Sequence, residues 1–300
     1  MGEGFIGTTF PVVTETTTMA SGWRSWPANV LTLTNMGAGA LVCWWAASEF
    51  DLGWAPAEWL DSLGFLQGWM ELLGVQERRV AGMLWLLAVW MFGQLCDLLD
   101  GAVARAMKAE GAQGVMLDSM ADLISAGLAP AFVGMALMTE WRAMGGMPDA
   151  LEWATVLPLT VMLAAAWRLA RFTHQALLTD EGEQEQQDDR FDFEGLPAPF
   201  AALFWGGLVW TWSQCPGAGC DHLWILGLVG SLLLPLGMVS KLPQIGFKHW
   251  GGRKSWDMLR AIWLIGALSA CVIMGPLGGV LALISYPLIG AVSHRFGTSK

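Results

Sequence analysis

The chain has 300 residues, of which 54% are apolar and only 14% charged, and its mean hydropathy is +0.47. A soluble domain of this size carries about 25% charged residues, so the composition excludes an ordinary soluble fold. The formal charge of −10, with no basic stripe, argues against a nucleic-acid partner.

Residues Met1 to Ser21 are polar and Thr-rich. They read as a disordered lead rather than a signal peptide, within a flexible N-terminal segment over 1–26. Apolar runs of roughly 17–25 residues then recur, the length needed to span a bilayer as a helix. Eight such spans are expected, at about 29–48, 80–104, 115–138, 152–173, 197–213, 222–240, 259–275 and 277–293. Gly275 and Pro276 make the turn between the last two. The expected fold is all-α: a polytopic helical bundle in the membrane, covering 27–293, with a short tail over 294–300.

Two stretches between spans are hydrophilic or mixed. Residues 51–78 interleave Trp54, Trp59, Trp69 and several leucines with acids, an amphipathic pattern suited to the membrane surface. Residues 180–190 are dominated by acids and glutamines and read as a solvated loop. The 19 tryptophans suit a membrane protein, because indole favours the headgroup level. Cys43, Cys96 and Cys271 lie in apolar runs and read as packing. Cys215 and Cys220 share a Pro/Gly-rich loop, where a disulfide and a pair of free thiols are both open readings.

Positive charge sets the orientation. With the N-terminus inside, Arg24, Arg105, Lys108, Arg168, Arg171, Arg190, Lys241, Lys248, Arg253, Lys254, Arg260, Arg295 and Lys300 fall on one side. Arg78, Arg79 and Arg142 fall on the other, 13 against 3. Both termini are therefore expected in the cytoplasm, with an even number of spans.

The chemistry is concentrated where the second span ends and the third begins. Asp97 and Asp100 are three apart; Asp118 and Asp122 are four apart; each pair shares a helix face. From Arg79 to Asp97 is 18 residues, or about 27 Å of helix. That places Asp97 near the inner edge of the hydrocarbon, at the level where the next helix starts. Four carboxylates brought together in a bilayer repel one another and are costly to desolvate. A divalent cation resolves both, and an all-oxygen ligand set suits Mg²⁺, Mn²⁺ or Ca²⁺ rather than zinc. Gly101, Ala104 and Gly114 leave room for a ligand against the backbone, and Arg105 can pair with phosphate. A structural role or an ion relay is the competing reading of intramembrane Asp. It does not account for the interleaved small residues.

The pattern Asp97-x2-Asp100-Gly101-x2-Ala104-Arg105-x8-Gly114-x3-Asp118-x3-Asp122 resembles the signature of the CDP-alcohol phosphotransferase family at every fixed position. Members displace CMP from a CDP-linked lipid or alcohol with an incoming hydroxyl. The resemblance implies a six-helix catalytic core and a homodimer. It implies divalent metal, Mg²⁺ or Mn²⁺, on Asp97, Asp100 and Asp118, with Asp122 as metal ligand, as base for the incoming hydroxyl, or as both. It also implies that Gly101, Ala104, Arg105 and Gly114 line the CDP site.

Other segments are similar to the phosphatidylserine synthase branch: PANVLTLTN at 27–35, DSMADLISAGLAPA at 118–131, WRLARF at 167–172, FEGLPAP at 193–199 and GMVSKLPQIGFK at 237–248. Thr173 stands where that branch has Asn. This implies CDP-diacylglycerol and L-serine as substrates, with the site at the cytoplasmic face. The fourth and sixth spans bring Arg168, Arg171, Ser240 and Lys241 to the level of the aspartates. Those cations suit a serine carboxylate, and they also simply obey the positive-inside bias. Thr34 and Asn35 stand near phosphate or in helix packing. His174, His222, His249 and His294 are dispersed, without metal-ligand spacing.

Overall fold

The computed structural model describes residues 22–48, 78–109, 111–179, 193–213, 222–241, 243–244, 254–274 and 277–286. Eight helices are present among them: α1 Gly22–Ala47, α2 Arg78–Met107, α3 Ala112–Ala143, α4 Leu159–Thr179, α5 Pro199–Ser213, α6 Leu223–Val239, α7 Lys254–Met274 and α8 Leu277–Tyr286. A 3-10 turn, Asp149–Val156, leads into α4. Two-residue strands, β1 Phe193–Glu194 and β2 Pro243–Gln244, pair antiparallel.

Four stretches are long and apolar enough to cross a membrane: Trp23–Ala47, Trp85–Met107, Ala112–Ala143 and Asp149–His174. Shorter apolar helices run over Leu223–Val239, Ala261–Met274 and Leu277–Tyr286. The outward faces are apolar, with Leu98 72%, Leu268 70% and Val272 80% exposed. Hydrocarbon, unlike water, accommodates such a surface, while the helices satisfy their own backbone groups.

The first helix starts at Gly22, about two turns before the expected span, so residues 22–26 belong to α1 rather than to the N-terminal segment. Pro27 sits inside α1, where only the bond back to Trp23 is lost.

Small residues set how closely α1, α2 and α3 approach. A Cβ placed on Gly39 would lie 2.6 Å from the Ser125 Cα, and one on Gly93 would lie 2.8 Å from the Ala38 Cβ. Tight helix contact through small side chains replaces a hydrophobic driving force inside a membrane. α3 is not a plain helix. Between Leu123 and Leu128 it makes a π turn, directly after Asp122.

The core lies around α5. Phe204 and Trp205 are fully buried and meet edge to face at 5.4 Å, and Gly230 of α6 lies against the Phe204 ring. The tryptophans therefore divide: Trp90, Trp141 and Trp205 are core, whereas Trp23, Trp26, Trp153 and Trp167 are exposed. α8 is held through Tyr286, whose ring lies 4.8 Å from Phe200 and 5.3 Å from Trp263 of α7. Cys43 and Cys96 are buried free thiols, in line with a packing role. Cys215, Cys220, His249, His294, residues 51–77 and the acidic 180–190 stretch lie outside the described residues.

Candidate active site

The last turns of α2 carry Asp97, Asp100, Gly101, Ala104 and Arg105. α2 stops at Met107 because Lys108 adopts the left-handed conformation, φ 52°, and Ala109 N–H bonds back to the Ala104 carbonyl at 3.0 Å. This helix-ending turn reverses the chain within a few residues. α3 therefore starts beside the end of α2, and its second turn presents Asp118.

Asp97, Asp100 and Asp118 each offer a carboxylate oxygen within 4.8 Å of the other two. Oxygens sharing one Mg²⁺ or Ca²⁺ sit at about 2.0–2.6 Å from the ion, so they must lie within roughly 5 Å of one another. The spacing fits, and the three aspartates can hold a divalent metal ion. Asp122 is not one of that trio. Its carboxyl instead lies in hydrogen-bonding contact with that of Asp97, and Asp122 Oδ1 is buried with no hydrogen-bond partner among the described residues.

α1 supplies two further contacts. The buried Asn35 amide donates to Asp97 Oδ1 at 2.8 Å, and the Thr32 hydroxyl lies 2.5 Å from Asp100 Oδ2. Asn35, expected beside phosphate or in packing, is thus committed to an aspartate, and its relative exposure is 0%. Thr34 returns its hydroxyl to the Val30 carbonyl at 2.7 Å. The Thr32 contact was not expected. Its signal was present in the spacing, since Thr32 and Asn35 are three apart, as are Asp97 and Asp100.

Two of the expected CDP-lining residues stand beside open space. Nothing lies within 4 Å of a Cβ built on Gly114, and one on Gly101 would meet only Arg105 Nη1, at 3.4 Å. Helix packing therefore does not explain why these two positions are glycine. The exposed Arg105 side chain folds back across Gly101.

α4 faces the cluster from the other side. Arg168 is within electrostatic reach of both Asp122 and Arg171. Its Nε is buried without a hydrogen-bond partner among the described residues. Ser119, next to Asp118, shares a 2.6 Å hydrogen bond with Thr173 and so ties α3 to α4. Lys241 is exposed just beyond α6, with no contact to the aspartates among those described. His174 and His222 are exposed.

Two segments distant in sequence join. Phe193 pairs with Gln244 and Glu194 with Pro243, and Leu196 N–H donates to the Gly237 carbonyl at 2.9 Å. Gly195 has φ +74°, and a Cβ there would lie 2.7 Å from the Ser240 carbonyl oxygen and 2.8 Å from that of Met238. Only glycine combines that backbone with that approach.

The family model for CDP-alcohol phosphatidyltransferases matches residues 26–239. Among curated proteins, a Mycobacterium leprae CDP-diacylglycerol–serine O-phosphatidyltransferase is 35% identical over 154 residues, covering 50% of this chain and 45% of the relative. Its Mycobacterium tuberculosis namesake is 34% identical over 153 residues, covering 50% and 48%. One from Saccharomyces cerevisiae is 35% identical over 111 residues, covering 36% and 35%. The chain spans about half the length of the mycobacterial relatives it matches. It belongs to the CDP-alcohol phosphatidyltransferase family, as a helical integral membrane protein.

Proposed function

We propose that this member of the CDP-alcohol phosphatidyltransferase family moves the phosphatidyl group of CDP-diacylglycerol onto the hydroxyl of L-serine, giving phosphatidylserine and CMP. The observation that carries the chemistry is the convergence of Asp97, Asp100 and Asp118 oxygens within 4.8 Å, inside the family motif. The choice of serine rests on the printed activity of the relatives and on the serine-type flanking segments.

Asp97, Asp100 and Asp118 hold a divalent cation, Mg²⁺ or Mn²⁺, and Asp122 stands beside them as a further ligand, as the base, or as both. Such an ion supplies positive charge to the pyrophosphate and to the leaving phosphate. Gly101, Ala104, Arg105 and Gly114 line the CDP pocket, where Arg105 pairs with phosphate. Arg168 and Arg171, with Lys241, hold the serine carboxylate and fix the hydroxyl for attack. Asp122 accepts the hydroxyl proton. The serine oxygen bonds to the lipid-side phosphorus, the bond from that phosphorus to the bridging oxygen breaks, and CMP leaves with the electron pair. The buried, unpartnered Asp122 Oδ1 and Arg168 Nε support these two roles.

The eight helices are read as eight spans around a six-helix core, with both termini and the site at the cytoplasmic face and the protein a homodimer. The 13-to-3 division of basic residues supports the orientation. The experiment is an acceptor panel: CDP-diacylglycerol with Mn²⁺ or Mg²⁺ and serine, glycerol 3-phosphate, inositol phosphate or choline, following CMP. Release with serine alone is expected. Release with glycerol 3-phosphate and none with serine would replace the acceptor while keeping the chemistry. Ion flux through proteoliposomes without CDP-lipid, and no CMP release, would favour a transporter.

A further inference from the structure

The aspartates of α2 are gripped by α1 through two side chains outside the aspartate signature. Thr32 Oγ1 is 2.5 Å from Asp100 Oδ2 and 3.1 Å from the Ala28 carbonyl oxygen. A hydroxyl has one proton and both neighbouring oxygens accept, so the proton goes to the shorter, charge-assisted contact, Asp100. Asn35 Nδ2 donates to Asp97 Oδ1 at 2.8 Å. The two bonds form a matched ladder. Thr32 and Asn35 are one helical step of three apart on α1; their partners are three apart on α2, in reverse order. Antiparallel helices in close contact bring both pairs into register at once.

Burial makes the arrangement informative. Thr32 is 5% exposed and Asn35 0%, so neither faces an open substrate pocket. Asn35 Oδ1 is buried without a hydrogen-bond partner among the described residues. Leaving a buried amide oxygen unmade costs about 1–3 kcal/mol, which an apolar residue would avoid. The Asn35 donor, held on a carboxylate, is what the residue offers in return.

We propose that Thr32 and Asn35 are positioning residues for the metal site: each fixes the orientation of one metal-holding carboxylate by occupying one of its oxygens. The proposal rests on the metal-site reading above. Partners that orient ligands in this way typically contribute about 10- to 100-fold to metal affinity.

The test uses the full chain purified in detergent, without CDP-lipid, titrated with Mn²⁺ while free Mn²⁺ is followed by electron paramagnetic resonance. Thr32→Val removes the hydroxyl and keeps the shape; Thr32→Ser keeps the hydroxyl. The expected result is an Mn²⁺ dissociation constant raised about tenfold or more for Thr32→Val and for Asn35→Leu, with Thr32→Ser close to the parent chain. Wild-type affinity in Thr32→Val and Asn35→Leu, alongside lost binding in Asp100→Asn, would overturn the positioning role and leave the metal site standing. No Mn²⁺ binding by the parent chain would instead overturn the metal reading, and this proposal with it. Should Thr32→Val fail to purify folded, Thr32→Ala against Thr32→Ser decides the question: weaker binding by Ala supports the role, and equal affinities overturn it.

Discussion

The Trp90 indole N–H donates to the Ser125 carbonyl oxygen at 2.8 Å, inside the π turn that begins immediately after Asp122. A π turn puts the backbone hydrogen bonds of a helix out of step, and in a buried site a carbonyl left alone is costly. Trp90 lies about two turns from Asp97 on the same helix. α2 thus carries two of the three aspartates that can hold a metal ion and also braces α3, which carries the third and Asp122. Gly39 of α1 closes on the same Ser125 backbone, so three helices meet at one residue.

Trp90→Phe keeps the ring and removes the donor. It is expected to lower stability by about 1–3 kcal/mol, the cost of an unsatisfied buried carbonyl. Thermal unfolding in detergent reads this as a lower midpoint. An unchanged midpoint would show that the bond does not brace the turn.

Gly195→Ala places a methyl group against the Ser240 and Met238 carbonyls in a left-handed backbone. The conformation alone costs about 1–2 kcal/mol for a residue with a Cβ, and the carbonyls belong to the end of α6, which cannot yield cheaply. Thermal unfolding should therefore shift down. The KM for serine should rise more than that for CDP-diacylglycerol, because the displaced end of α6 leads into Lys241. Parent values for both would contradict the account of this joint.

Much of the fold was legible because apolar length is a direct consequence of bilayer thickness: four of the expected spans fall on helices long and apolar enough to cross a membrane, and the others overlap shorter helices among the described residues. The aspartate cluster was legible because three- and four-residue spacings fix helix faces. The π turn was not, since one inserted residue leaves the apolar pattern of 123–128 unchanged. Nor was the joint of Gly195 with Ser240, because nothing local to either segment specifies a partner more than forty residues away. Asn35 was read as phosphate-facing or packed, and its bond to Asp97 depended on a register between α1 and α2 set by the close approach of Ala38 and Gly93.

Chelation should abolish CMP release, and added Mn²⁺ or Mg²⁺ should restore it. Asp118→Ala should lower turnover by at least about 100-fold, because the third oxygen of the trio is lost and the remaining two carboxylates must carry the ion alone. Activity that persists through exhaustive chelation, or in Asp118→Ala, would contradict the metal site.

Arg168→Lys keeps a positive charge near Asp122 but loses the planar fork. The KM for serine should rise about tenfold, equivalent to roughly 1.4 kcal/mol, with little change in the KM for CDP-diacylglycerol. An equal rise in both KM values, or in neither, would move the serine carboxylate away from Arg168.

The most direct measurement supplies the purified chain with CDP-diacylglycerol, Mn²⁺ and isotopically labelled L-serine, and follows labelled lipid and CMP together. The account predicts one labelled phosphatidylserine for each CMP released, and neither product without serine. CMP formed without label entering lipid, or at the same rate when serine is omitted, would contradict transfer to serine.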